Sequence, residues 1–238
     1  MKTSVLIIAH NEERQIDKCL DSLLNQTQNP DEIILVAHNC TDKTISIAQG
    51  FENIKTIKYD GPVGAVFPRV EGLQHISKES DIILFLDGDC VAEENWVEEL
   101  SKTLNQNNNI LAGTYIKFKG DLFLWFSNIF NKNKCVTRGE EATRWIWGGS
   151  FAFWNKDLEL VKNILEKTIE LSRKLSLTRN PEDFFLAKFL NKEANIEVTN
   201  KTFVTAQAKE NSIFSSLKRN RINHYNGDII EKYFLDLK

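Results

Sequence analysis

The chain has 238 residues, 42% of them hydrophobic, which gives room for one large α/β domain or two small ones, with a single main domain favoured. Lys and Arg number 30 against 33 Asp and Glu, a formal charge of -3, so the basic footprint of a nucleic-acid binder is missing. Cys19, Cys40, Cys90 and Cys135 are far apart and form no C-x-x-C pair, which argues against a disulfide framework and a structural zinc site and reads as reduced thiols in a cytosolic protein.

Met1-Lys2-Thr3 runs directly into the apolar Ser4–Ala9, a segment too short and too soon acidic for a secretory signal or a membrane span. A soluble, cytoplasmic protein is therefore expected. Over the next hundred residues short apolar runs alternate with amphipathic patterns. Strands are predicted at Val5–Ile8, Ile33–Val36, Ile54–Ile57 and Ile82–Leu86, each followed by a helix: Glu12–Leu24, Lys43–Gly50, Phe67–Ile76 and Glu93–Leu104. Such alternation implies right-handed crossovers and a mostly parallel sheet flanked by helices, a Rossmann-like half in which ligands collect at the carboxyl ends of the strands. Those ends carry Asn11-Glu12, Asn39-Cys40-Thr41-Asp42, Asp60-Gly61 and Asp87-Gly88-Asp89.

The last cluster is the most informative. Asp81–Cys90 reads D-I-I-L-F-L-D-G-D-C, a buried-type strand ending in two acids one residue apart. Hard divalent ions such as Mg²⁺ or Mn²⁺ take one or two protein carboxylates and complete their shell with substrate phosphate and water. Asp89 is the main candidate ligand and Asp87 its partner, with Gly88 expected to supply unusual dihedrals between them.

The second half is less regular. A strand is predicted at Ile110–Phe118 and another around Trp145–Trp154, with helices near Asp157–Leu175 and Glu182–Asn191. Between the strands, Asp121–Phe130 is dense in aromatics and suits a core helix or pocket wall, or an interfacial helix touching the inner face of a membrane. No linker separates the halves, so residues 1–107 and 108–208 are expected to share one core, followed by a polar helical tail over 209–238 that carries Lys218, Arg219 and Arg221. His10, His38, His75 and His224 are scattered, with no zinc-ligand spacing.

Taken in order, five segments resemble the family 2 glycosyltransferases, whose fold is called GT-A. Ser4–Glu13, S-V-L-I-I-A-H-N-E-E, is similar to that family's opening strand and N-E-E turn. Ile33–Thr44, ending N-C-T-D-K-T, resembles the strand and S/C-T-D-x-T signature that hold base and ribose. Gly64–Gly72 places Arg69 where the A-R-N-x-G segment has its arginine, and the D-x-D strand follows. Trp147-Gly148-Gly149-Ser150 resembles the G-G-x motif of the acceptor side, and Arg179–Phe184, R-N-P-E-D-F, the E-D motif of the catalytic base. The chain departs from the family at Ile8, often proline, at His10, often tyrosine, and at Ala37-His38, often an acidic pair. The arginine-tryptophan motif of processive synthases has no counterpart near Lys218–Gly227, which argues for transfer of one sugar.

The resemblance implies a metal-dependent, inverting transferase that moves a sugar from a UDP- or GDP-sugar to a saccharide or lipid-linked acceptor hydroxyl in glycan or cell-envelope synthesis. It assigns Ala9, Asn11, Glu12, Asp42, Arg69 and Asp87 to the donor nucleotide, Asp87 and Asp89 to Mn²⁺ or Mg²⁺, and Trp147, Gly148 and Gly149 to the acceptor side. Asp183 is the candidate base and Glu182 the alternative. Each assignment has a plainer rival. Asp42 suits a cap for the helix near Lys43, Arg69 a solvated charge on a helix, and Pro181-Glu182-Asp183 a helix start favoured by the dipole. A sugar-phosphate nucleotidyltransferase, or a non-catalytic nucleotide-sugar-binding relative, is the alternative function. The first would want a basic, glycine-rich loop where this chain has H-N-E-E-R.

Overall fold

The computed structural model describes residues 1–106, 109–119, 137–138, 142, 146, 148–177, 182–191, 195–207, 229 and 232. They form an α/β fold around one curled nine-stranded sheet. The first half is β1 (Thr3–Ala9), α1 (Ile16–Leu24), β2 (Glu32–His38), α2 (Thr44–Ala48), β3 (Lys55–Tyr59), α3 (Val66–Leu73), β4 (Ile82–Asp87), β5 (Cys90–Ala92) and α4 (Trp96–Asn105). The second half is β6 (Asn109–Lys119), β7 (Thr137–Arg138), β8 (Ser150–Trp154), α5 (Leu158–Lys174), α6 (Glu182–Leu190) and β9 (Asn195–Gln207).

The strand order is β3-β2-β1-β4-β8-β6-β9-β5, with β7 beside β9. Strands β3, β2, β1 and β4 are parallel, as the predicted crossovers require, and β8 then joins β4 antiparallel. These strands read as continuous apolar runs because both faces are covered. Val5 and Ile7 of β1, with Ile82, Leu84 and Leu86 of β4, pack against α1 and α4. Leu6, Ile83 and Phe85 face the opposite core, built with α3, α5 and α6. A Cβ on Gly72 would lie 2.3 Å from Leu6 Cδ1, so only glycine lets α3 lie this close to β1. That approach matters because Arg69 is one turn earlier on α3.

Several boundaries differ from expectation. Helix α1 begins at Ile16 rather than Glu12, because Asn11 is left-handed (φ 56°) and the amides of Gln15 and Ile16 both turn back to the Glu12 carbonyl. The strand expected around Trp145–Trp154 starts at Ser150 in the described residues. The sequence reading had no strand at β5 or at β9, yet β9 pairs along β6 and also with β5 and β7. The aromatic segment 121–130, Trp145, Trp147, Cys135, His224 and the tail cations lie outside the described residues. Among the described residues no helix is long and apolar enough to cross a membrane.

Candidate active site

A cavity of about 570 Å³ opens at the carboxyl ends of β1, β2 and β4. Its floor and walls include Ile8, Ala9, His10 and Glu12 at the end of β1, His38 and Asn39 at the end of β2, and Asp87, Gly88 and Asp89 at the end of β4. Val63, Gly64, Ala65 and Pro68, at the entry to α3, complete the rim. The buried strands thus deliver both acids of the D-x-D turn to one hollow, where open α/β sheets place their ligands.

Gly88 is needed for space rather than for dihedral freedom, which corrects the sequence expectation. Its φ is not in the left-handed region, whereas a Cβ would stand 2.8 Å from Ala9 Cβ and 3.1 Å from the Ile8 carbonyl. The Gly88 amide donates to that same carbonyl at 2.8 Å, which locks the turn against β1. Beneath it, the Cys19 thiol faces the Asp87 carbonyl at 3.8 Å and the Cys90 thiol faces Asp89 Oδ1 at 3.4 Å. Burial, reinforced by the charge of Asp89 and Asp87, pushes both thiols well above their ordinary value, so they are protonated packing groups.

Arg69 is 2% exposed, which removes the solvated-charge reading. Its Nη1 donates to Glu182 Oε1, and its Nη2 donates to Asp87 Oδ1 at 2.8 Å and to the Gly148 carbonyl at 2.7 Å. The guanidinium also lies 5.8 Å from the centre of the Phe85 ring. Burial would favour loss of its proton, but the carboxylates of Asp87, Glu182 and Asp183 outweigh burial and hold the pKa above its ordinary value. Gly148 also donates its amide to Asp183 Oδ2 at 3.1 Å, and the Gly149 carbonyl accepts the Asp87 amide at 3.2 Å.

Glu182 and Asp183 form the first turn of α6, as the helix-start reading expected, but they are placed differently. Glu182 is buried against Arg69. Burial, with the nearby charges of Asp183 and Asp87, pushes its carboxyl up to about 7 even though Arg69 pulls the other way. Asp183 is half-buried and held by the Gly148 amide and by the amide of Phe184 at 2.8 Å.

The donor-side residues divide. Ala9, Glu12 and Asp87 line the cavity, whereas Asn11, Asp42 and Arg69 do not. Asn11 Oδ1 accepts the Thr41 amide at 2.8 Å. Asp42 Oδ1 accepts from the Thr44 hydroxyl at 2.6 Å and amide at 2.9 Å, and its Oδ2 accepts the Glu13 amide at 3.0 Å. Although partial burial opposes it, these bonds hold the Asp42 carboxyl below its usual range. The bonds to Thr44 form a local turn one residue ahead of the helix N-cap, Lys43, which itself makes no side-chain cap bond. Of the acceptor-side trio, Gly148 and Gly149 brace Arg69 and Asp87, and Trp147 lies outside the described residues.

The sequence reading missed part of the wall. His10, set aside for want of zinc spacing, donates its Nδ1 proton to the His38 carbonyl at 2.8 Å. Asn39, left-handed at φ 49°, donates from Nδ2 to the Gly61 carbonyl (2.9 Å) and approaches His38 Nε2 (3.0 Å), while its Oδ1 accepts the Gly61 amide at 3.0 Å. The signal was present in the N-C-T-D stretch, because asparagine tolerates that conformation better than most residues.

Asp87 and Asp89 are hard oxygen donors that line the same cavity, and no group of three or more His, Cys, Asp or Glu able to hold a metal occurs among the described residues. That donor set fits a divalent ion that takes few protein ligands and draws the rest from phosphate and water.

Comparison with known proteins agrees with this geometry. Residues 4–154 match the family described as Glycosyl transferase family 2. Glycosyltransferase AglE of Haloferax volcanii is 31% identical over 121 residues, 48% of this chain and 39% of that protein. A poly(ribitol-phosphate) beta-glucosyltransferase of Bacillus spizizenii is 38% identical over 99 residues, 37% of this chain and 15% of that protein. The chain thus spans less than half the length of either relative. Among solved structures, S. aureus TarS 1-349 with UDP aligns with a TM-score of 0.64 at 18% identity, covering 87% of this chain and 61% of that 1-349 chain. TarS 1-349 with UDP-GlcNAc aligns at 0.61, also at 18% identity, covering 91% of this chain and 61% of that chain.

Proposed function

Because the chain belongs to glycosyltransferase family 2, we propose that it transfers a single sugar from a nucleoside-diphosphate sugar to an acceptor hydroxyl, with inversion and with a divalent cation, in glycan or cell-envelope synthesis. The observation that carries this reading is the convergence at one strand-end cavity of Asp87 and Asp89, with Glu182 and Asp183 tied to the same turn through Arg69 and Gly148.

In this reading Glu12, His10 and His38 contact the base and ribose, and Asp87 and Asp89 hold Mn²⁺ or Mg²⁺. When bound, the ion neutralises charge on the diphosphate as it leaves. Asp183 accepts the acceptor's proton. Neither acid borders the cavity itself, but Asp183 is partly exposed and bonded to neutral amides, whereas the Glu182 carboxylate is committed to Arg69. Attack from the face opposite the departing nucleotide inverts the anomeric centre. TarS, whose fold the chain shares, was solved with UDP and with UDP-GlcNAc, so uridine diphosphate sugars are the first donors to try.

The test is a panel of UDP- and GDP-sugars assayed for hydrolysis and transfer with Mn²⁺, with Mg²⁺ and with EDTA, followed by proton NMR of the product. Cation-dependent turnover with an inverted linkage is expected. A retained linkage overturns the single displacement, and full activity in EDTA overturns the cation.

A further inference from the structure

We infer that Arg69 is a positioning residue that ties the donor end of the site to its acceptor end, fixing Asp87 relative to Glu182 and Gly148, and that it is not a ligand for the diphosphate. The inference rests on the glycosyl-transfer reading for the meaning of the two ends, though not for the contacts themselves.

Arg69 does not border the cavity, whereas Asp87 does. Two acceptors, Asp87 Oδ1 and the Gly148 carbonyl, take both protons of Nη2, and Glu182 takes one from Nη1. Both protons of Nη2 are thus engaged, and a phosphate could reach that nitrogen only by displacing charge-assisted bonds already made inside the protein. The three partners are 18, 79 and 113 residues away along the chain, on the end of β4, the approach to β8 and the start of α6.

The guanidinium's shape explains the choice of residue. A rigid fork can bond carboxylates on two sides and hold the angle between them, whereas a lysine ammonium is a point charge on a flexible stem. Phe85 beneath the guanidinium, itself held edge-on by Phe151 at 4.7 Å and Phe153 at 5.6 Å, limits where the fork can sit. Gly148 then carries the constraint to Asp183, since its carbonyl is fixed by Arg69 and its amide by the Asp183 carboxylate.

A coupling of this kind is measured by a binding cycle. Equilibrium binding of UDP, and of GDP, with Mn²⁺ and in EDTA would be compared for the unmodified chain, Glu182→Gln, Arg69→Lys, Arg69→Met and the double variants. Glu182 does not border the cavity, so Glu182→Gln is expected to weaken Mn²⁺-dependent nucleotide binding about tenfold only while Arg69 is present, and less than twofold in either Arg69 background. Arg69→Lys keeps the charge and is expected to behave as Arg69→Met does. Retention of nucleotide affinity by Arg69→Lys, or additive effects of the Glu182 and Arg69 changes, overturns the inference.

A thermal-unfolding cycle among Arg69→Lys, Asp87→Asn and Glu182→Gln in EDTA gives a readout that needs neither metal nor turnover. Strong non-additivity of all three pairs is expected. If the unmodified chain binds no nucleotide, the proposed function fails, and the unfolding cycle alone decides the tether, with additivity overturning it.

Discussion

The amide of Gly148 donates to Asp183 Oδ2 at 3.1 Å, so the proposed base takes its position from a backbone group rather than from another charge. A bond to an uncharged amide steadies the carboxylate without neutralising it. Asp183→Asn should therefore keep donor binding and lose transfer, by about 10²- to 10⁴-fold in kcat, in steady-state assays with the identified donor. Glu182→Gln should act mainly through position and cost less.

Asp89→Ala should weaken Mn²⁺-dependent nucleotide binding by about tenfold or more, equivalent to roughly 1.4 kcal/mol, with little change in melting temperature. Isothermal titration with and without EDTA checks both halves of the statement. Nucleotide binding in EDTA should respond far less to this substitution.

Gly88→Ala places a methyl 2.8 Å from Ala9 Cβ and against the Ile8 carbonyl, with β1 too well buried to yield. A stability loss of about 1–3 kcal/mol is expected from denaturant unfolding. Nucleotide affinity should fall with it, since the turn carries both acids.

Glu182 gives the fold a pH signature. Its carboxyl is raised from an ordinary value near 4.5 to about 7 by burial, so folding binds a proton there that the unfolded chain has already released. The stability this group contributes is complete below about pH 4.5 and is lost as pH rises through 7. Glu182→Gln should remove that slope: the melting temperature of the unmodified chain falls relative to the variant between these limits. A difference that is flat with pH contradicts the raised value.

Asn39 combines a left-handed backbone with bonds to both polar groups of Gly61. Asn39→Gly loses the bonds alone, whereas Asn39→Ala loses the bonds and adds strain of about 1 kcal/mol. Unfolding curves of the two should differ by that amount. Both should loosen the Val63–Gly64 rim and weaken nucleotide binding.

The first half was legible because its signal is local. Ile82–Leu86 is apolar throughout since both faces are covered, and Asp87 and Asp89 follow at once, so strand and site are read together. Arg69 was legible as a residue and not as a buried tether, because its Glu182 partner is 113 residues away. Strand β9 went unseen for another reason. Its stretch N-I-E-V-T-N-K-T-F-V-T-A-Q alternates polar and apolar residues, and its register with β6 shifts between Thr114 and Tyr115, so no continuous apolar run marks it. Burial alternates with period two over Thr202, Val204 and Ala206, but Glu197 and Thr199 are buried as fully as Ile196 and Val198, because that part of the strand is covered on both faces. His10 and His38 are visible in the sequence as departures from the family pattern and as histidines without zinc spacing, and neither signal says that they line a wall.

The chain separation across the tether also sets an order of assembly. The four parallel strands and both acids of the D-x-D turn leave the ribosome long before α6 and β9. A half-made molecule therefore already carries Arg69, with Glu182 and Gly148 not yet synthesised to meet it. Its guanidinium can be dehydrated only once those partners arrive, so closure of the arginine's surroundings is a late, long-range event. Synthesis that stops early leaves a fragment whose Arg69 guanidinium stays in water, even though every residue that lines the hollow is already made.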